Sequence, residues 1–129
     1  MTAEPEGRRT RAMIVDDHAD FRDLMKMLLT SQPDIELLAQ AGLLVEARAH
    51  AARFELDVAI LDIVLPDGSG ADLIADLRRD GNEVRVLVLS ASLDPEVIEK
   101  ARSAGADEIL DKLTPVDEVL ATVRRLGTA

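Results

Sequence analysis

The chain contains no cysteine, tryptophan or tyrosine, and only two phenylalanines, Phe21 and Phe54, in 129 residues. The missing thiols exclude a disulfide framework and any thiolate metal site, which suits the cytoplasm. With so few aromatics, the core has to be built from Leu, Val, Ile, Ala and Met. No apolar run approaches the roughly 20 residues of a membrane-spanning helix, and the N-terminus lacks the apolar stretch of a secretion signal. Positive charge is also scarce. Fifteen Lys and Arg against 25 Asp and Glu leave a formal net charge of −10. That balance argues against binding nucleic acid or an anionic membrane with the body of the chain, and favours cationic partners: a metal ion or a basic protein surface.

What is present is globular in composition, with 47% hydrophobic and 31% charged residues. The length suits one domain. Residues 1–10 carry no apolar periodicity and read as a flexible tail, in which Arg8 and Arg9 are solvated charges. Residues 12–15 form a short apolar strand that ends at Asp16-Asp17. Phe21, Leu24, Met25 and Leu28 follow at i, i+3, i+4 and i+7, the stripe of an amphipathic helix, with Met25 and Met27 read as core filler. Pro33 closes this helix. Residues 35–41 alternate as a second strand broken at Gly42, and residues 44–53 form an Ala-rich helix.

Residues 58–62 are a continuous apolar run stopped by a carboxylate, Asp62, the pattern of a strand buried on both faces. Pro66, Asp67, Gly68 and Gly70 form a turn cluster, and Ser69 is an N-cap for a helix carrying Leu73, Ile74 and Leu77. Residues 84–89 form a fourth strand closing at Ser90. Asp94-Pro95 opens a helix with Val97, Ile98 and Ala101 inward, ended by Gly105. Residues 108–110 form a last strand running into Asp111-Lys112. Thr114 to Asp117 resembles a capping box, and Val116, Val119, Leu120 and Val123 line one side of the final helix. Strict strand–helix alternation, five of each, implies right-handed crossovers. The expected fold is a single doubly wound α/β domain with a parallel sheet.

In a parallel sheet all carboxyl ends lie along one edge, where such folds keep their ligands. Asp16, Asp17, Asp62, Ser90 and Lys112 each fall at a strand end, so they converge. Taken alone, each reads as a solvated surface residue; taken together they read as a site. Carboxylates about 4 Å apart at an effective dielectric near 20 repel by on the order of 4 kcal/mol per pair before screening. A divalent cation relieves that repulsion. An all-oxygen set suits Mg²⁺, and no histidine set for zinc is present. A carboxylate can attack phosphorus to give an acyl phosphate. The Lys112 ammonium would neutralise phosphoryl oxygens, and the Ser90 hydroxyl could donate to one of them.

These residues carry a family resemblance. VDDH at residues 15–18, LDIVLPDGSG at 61–70, LSA at 89–91 and DK at 111–112 make the chain resemble the receiver domain of a two-component response regulator over residues 11–126. Residues 1–10 and 127–129 would be tails. The resemblance implies a flavodoxin-like sheet in order 2-1-3-4-5, with Asp62 as phosphoacceptor. It implies Mg²⁺ held directly by Asp17, Asp62 and the Val64 backbone carbonyl, with Asp16 acting through water. Ser90 becomes the switch hydroxyl and Lys112 the phosphate-pairing cation. The phosphodonor would be a histidine kinase or phosphotransfer protein, and a downstream protein would read residues 90–126. DDH with Phe21-Arg22 and LPDGSG is closest to the LuxR/NarL-type subclass. The chain stops after its last helix, so no DNA-binding domain is expected in it, whether it is a stand-alone receiver or an excised one. Receivers often pair through their last helices, which allows a homodimer. His18 reads as a loop residue beside the acid pair, within reach of a docked kinase.

Two positions depart from the family pattern. Ile109 stands where receivers commonly carry Tyr or Phe, which bears on the coupling of Ser90 to an aromatic rotamer. Leu113 replaces the frequent proline after the lysine. Val64 and Ser92 occupy positions that tune acyl-phosphate lifetime. Two other readings remain on the same fold. One is a phosphate-independent interaction module, marked by Ile109. The other is an aspartate-nucleophile phosphohydrolase, disfavoured because Val64 stands where such enzymes place a second acid and no cap domain is present. No enzymatic activity beyond self-phosphorylation and self-dephosphorylation is expected.

Overall fold

β3, Val58–Leu61, is the centre of the sheet, and each of its four side chains is buried. Val58 and Ile60 face one apolar layer while Ala59 and Leu61 face the other. That is the two-sided burial its unbroken apolar run requires, because side chains alternate across a strand. The structure, a computed structural model, describes residues 9–91 and 93–128. Most of the expected N-terminal tail, with Arg8, lies outside the described residues, as do Ser92 and Ala129.

β1 (Thr10–Val15) and β2 (Ile35–Ala41) lie on one side of β3, and β4 (Arg85–Ser90) and β5 (Glu108–Asp111) on the other. All neighbours pair in parallel, in the order β2-β1-β3-β4-β5. The flavodoxin-like order expected from the resemblance is the one observed. Five helices cover the sheet: α1 (Ala19–Thr30), α2 (Leu44–Arg53), α3 (Gly70–Arg79), α4 (Pro95–Ala104) and α5 (Val116–Gly127). α1 and α5 bury Met25, Leu29, Val119, Leu120, Val123 and Leu126 on one face. α2, α3 and α4 bury Leu44, Ala47, Leu73, Ile74, Leu77 and Ala101 on the other. Each fully buried Leu or Ile contributes about 1.5–3 kcal/mol, so two closed layers replace the missing aromatics.

Local chemistry sets the helix ends. The Ser69 side chain accepts from the Ala71 amide, and the Asp94 side chain accepts from the Glu96 amide ahead of Pro95, both as expected. Gly105 closes α4 in the left-handed region at φ 114°. At the far end of the chain, Gly127 passes so near β1 that an added Cβ would lie 2.3 Å from the Thr10 side chain.

Several expectations are corrected. Strand β1 begins at Thr10 and α5 includes Gly127, so both reach one residue into the expected tails. In α1 the buried row is Met25 and Leu29, with Phe21 and Leu28 partly covered. Leu24 and Met27 are 45% and 62% exposed. At about 100° per residue, Leu24 stands a quarter turn from Met25, and Met27 faces nearly opposite, so neither reaches the sheet. Val116 is 43% exposed at the first turn of α5. The capping box expected at 114–117 does not form, because α5 starts at Val116 and Pro115 takes the cap position without a side-chain bond. Asp111 turns the chain instead, its carboxylate accepting from the Leu113 amide at 2.6 Å. The turn cluster after Asp62 closes as a small antiparallel hairpin, Val64–Leu65 with Gly68–Ser69.

Candidate functional site

Strands β1, β3 and the edge strand β5 each deliver one residue past the carboxyl end, and the ladder continues just far enough to fix it. The Asp62 amide donates to the Val15 carbonyl at 2.9 Å, the Asp16 amide to Ala41 at 2.9 Å, and the Lys112 amide to Ser90 at 3.0 Å. Register places Val15 opposite Leu61, Leu61 opposite Val88 and Ser90 opposite Asp111. Asp16, Asp62 and Lys112, separated by up to a hundred residues of sequence, therefore meet at one edge. Asp16, Asp62 and Ser90 are buried there. Asp17 follows on the exposed side of the acid pair.

Lys112 ties the two buried acids together. Its Nζ lies 2.7 Å from Asp16 Oδ2 and 3.2 Å from Asp62 Oδ2. The same ammonium sits 4.5 Å from the centre of the Phe21 ring, within cation–π range. Burial pulls the lysine pKa down, but the Asp16 hydrogen bond and the Asp62 charge outweigh it, so the net shift is upward. The second Asp62 oxygen, Oδ1, accepts from the Val64 amide at 3.4 Å. Gly70 backs this loop. An added Cβ there would stand 2.5 Å from the Asp62 carbonyl oxygen, so α3 can approach the acid only through glycine.

One ligand atom from each of Asp16, Asp17, His18 and Asp62 falls within 4.8 Å of the others. Three carboxylates in that radius, two of them buried, form an oxygen-rich set of the kind that holds Mg²⁺, so the residues present fit a divalent cation. Val64 follows Asp62 by two positions and opens the small hairpin.

Two contacts escaped the sequence reading: Phe21 lies under Lys112, and the Arg22 guanidinium donates to the Asp16 carbonyl. The His18 ring faces the acid pair, beside which it was expected. The sequence does offer a faint signal: Phe21 is one of only two aromatics, and it lies one helical turn past the acid pair. Ile109, in the place of the family's aromatic, is partly buried and packs against the α2–α4 layer. The described residues contain no cis peptide bond, so Lys112–Leu113 is trans. A cleft of about 510 Å³ opens at the opposite, amino-terminal edge of the strands. Its Arg11 is already engaged by Asp57 and Glu55. Among the described residues no helix is long and apolar enough to cross a membrane.

Comparison with known proteins agrees with this geometry. The family profile of the response regulator receiver domain matches residues 12–124. The nitrate/nitrite response regulator protein NarP of Escherichia coli is 34% identical over 120 residues, which span 93% of this chain and 56% of that protein. The DNA-binding transcriptional activator DevR/DosR of Mycobacterium tuberculosis is 32% identical, over 91% of this chain and 54% of its own length. The chain thus spans about half the length of the curated relatives it matches. The signal receiver domain of NarL from Mycobacterium tuberculosis superposes with a TM-score of 0.90 at 26% identity, covering 95% of this chain and 98% of that one. A LuxR-family response regulator from Staphylococcus aureus shares the fold, with a TM-score of 0.86 at 24% identity over 92% of this chain and 98% of that one. Motif, strand order and relatives converge: the chain belongs to the response regulator receiver domain family, in the company of LuxR/NarL-type regulators.

Proposed function

We propose that the chain is a phosphorylation-switched signalling receiver in which Asp62 accepts a phosphoryl group, with Mg²⁺, from a histidine kinase or phosphotransfer protein. The observation that carries this reading is a buried Asp62 with Lys112 Nζ 3.2 Å from one oxygen and further acids beside it. In the transfer, an Asp62 carboxylate oxygen forms a bond to phosphorus as the bond from phosphorus to the donor's imidazole nitrogen breaks. The imidazole leaves with the bonding pair and takes up a proton. Asp17, Asp62 and the Val64 carbonyl would hold the cation directly, with Asp16 acting through water. A cation bound there offsets charge on the acids and the phosphoryl oxygens.

Lys112 is placed to pair with the new phosphoryl group, and Ser90 at the end of β4 to donate to it. Phosphorylation adds about −1.5 to −2 charges at the site. Drawing Ser90 and the start of α4 toward that charge would shift a two-state equilibrium across residues 90–126, the surface read by a downstream protein. The site chemistry belongs to the cytoplasm, where such kinases present their phosphohistidine. A reading without phosphate draws on Ile109, whose aliphatic side chain replaces the aromatic rotor of the family.

Intact-protein mass spectrometry after incubation with acetyl phosphate, with and without Mg²⁺, tests the proposal. A single Mg²⁺-dependent phosphoryl adduct is expected in the wild type and none in Asp62→Ala. Labelling of Asp62→Ala at the wild-type rate would overturn the assignment. If a beryllofluoride adduct forms but leaves hydrogen exchange at residues 90–126 unchanged, recognition without phosphate is the better account.

A further inference from the structure

The Lys112 side chain is only 13% exposed, and its ammonium has three neighbours: Asp16, Asp62 and the face of the Phe21 ring. Two of these are anions. The ring attracts a cation less strongly than either of them. A phosphoryl group on Asp62 would add charge on one side, and a divalent cation would draw the acids away from the ammonium. In either case the ammonium follows the anions, and the ring has to give it up. Phe21 is half-buried and belongs to the α1–α5 layer. With Leu24, Leu28, Val116 and Leu120 it lines a narrow apolar groove of about 50 Å³, and Lys112 lines the same groove. Leu24 and Val116 are among its exposed residues, so the groove opens at the surface. Ile109 packs into the opposite layer and offers a cation no ring face. Phe54, the chain's other phenyl ring, lies under Arg53 at the far edge of the sheet.

We propose that Phe21 is a positioning residue for Lys112 and carries the state of the site to the α1–α5 groove. The inference rests on the reading of Asp62 as phosphoacceptor. Before phosphorylation the ring steadies the ammonium beside the two acids. When the ammonium turns to a phosphoryl group, the ring is released and repacks against Leu24 and Val116. The groove then changes shape at the surface, on a route that needs no aromatic at position 109.

The chain has three lysines, Lys26, Lys100 and Lys112, so ¹³C-lysine labelling gives a readable NMR spectrum. The test compares the full chain with Phe21→Leu and Phe21→Met, which keep an apolar side chain without a ring, and Phe21→Tyr, which keeps the ring. Beryllofluoride with Mg²⁺ serves as the phosphoryl mimic. The expected Lys112 ε-methylene signal lies upfield in wild type and Phe21→Tyr, through the ring current, and moves downfield when the mimic binds. In Phe21→Leu and Phe21→Met it starts downfield. The mimic should shift the amides of residues 21–28 and 116–120 in wild type and Phe21→Tyr. In the two ringless variants it should still bind and shift residues 93–104 as in wild type, while the response at 21–28 is lost. A Lys112 signal indifferent to the ring would overturn the role of Phe21 and leave the phosphoacceptor standing. So would a response at 21–28 that is absent from wild type, persists without the ring, or fails to return in Phe21→Tyr, and so would loss of mimic binding in the ringless variants alone. No beryllofluoride adduct on any of the four proteins would overturn the phosphoacceptor reading, and the relay with it.

Discussion

Lys112 would compete with a cation bound at the proposed site, because its ammonium already neutralises Asp16 and Asp62. Replacing it by Met leaves two buried carboxylates facing each other. Lys112→Met is therefore expected to lose about 1–3 kcal/mol of stability without added metal, read by urea unfolding. The same variant should bind Mg²⁺ more tightly than the wild type, read by calorimetry, and should still label at Asp62 while failing to change hydrogen exchange at residues 90–126. The pH dependence follows from the raised lysine pKa. Its contribution is complete below the usual 10.5 and is lost as pH rises through the higher folded value, so the urea midpoints of the two proteins converge only in strongly alkaline solution. At this scale the strand-end residues were legible because each follows an apolar run and a strand's end is visible in sequence. The contacts of Phe21 and Arg22 were not, since they depend on the angle at which α1 leaves β1.

Among the elements, the hairpin after β3 and the start of α2 are joined by one side chain. Asp67 accepts from the Leu44 amide at 2.8 Å and the Val45 amide at 3.2 Å, capping a helix that begins 23 residues earlier. Those amides hold the Asp67 carboxyl below its ordinary range. The other end of the cap is local: Glu46 accepts from the Gly42 and Leu43 amides. Asp67→Ala should lower the urea midpoint. It should also loosen exchange protection in the hairpin that carries Val64, while Asp67→Asn keeps most of the protection. The sequence marked Asp67 as a turn residue but could not show a cap, because the capped helix is distant along the chain. The same reason explains Leu24, Met27 and the unformed box at 114–117. Periodicity reports that a face exists, and packing on the sheet decides where it points.

For the molecule as a whole, α5 closes one layer by a latch to the loop before β2. Arg124 Nε bonds Asp34 Oδ2 at 2.7 Å, and its guanidinium also reaches the Gln32 side chain. The Arg124 hydrogen bond lowers the Asp34 pKa below its ordinary 3.8. A depressed carboxyl stabilises the fold above its unfolded value and loses that contribution as pH falls through the folded value. Wild type should therefore outlast Arg124→Gln clearly at neutral pH and converge with it below pH 3.8, read by urea midpoints along an acid series. Two-sided burial of β3 and the alternation of elements were legible, because they depend on composition repeated over many residues, whereas the 2-1-3-4-5 order came from the family resemblance of the strand-end motifs. A latch between two single side chains leaves no such pattern.

The strand order has a consequence during synthesis. Asp62 and Lys112 are separated by 50 residues, and the lysine arrives on the last strand. At about 5–20 residues per second, the ribosome exposes Asp62 roughly 2.5–10 s before its cationic partner, and Asp16 earlier still. A nascent chain in that interval carries β1 and β3 without the ammonium that bridges both acids in the folded protein. A divalent cation captured at that stage would act as a temporary stand-in for Lys112 and would favour pairing of the strands that carry the acids.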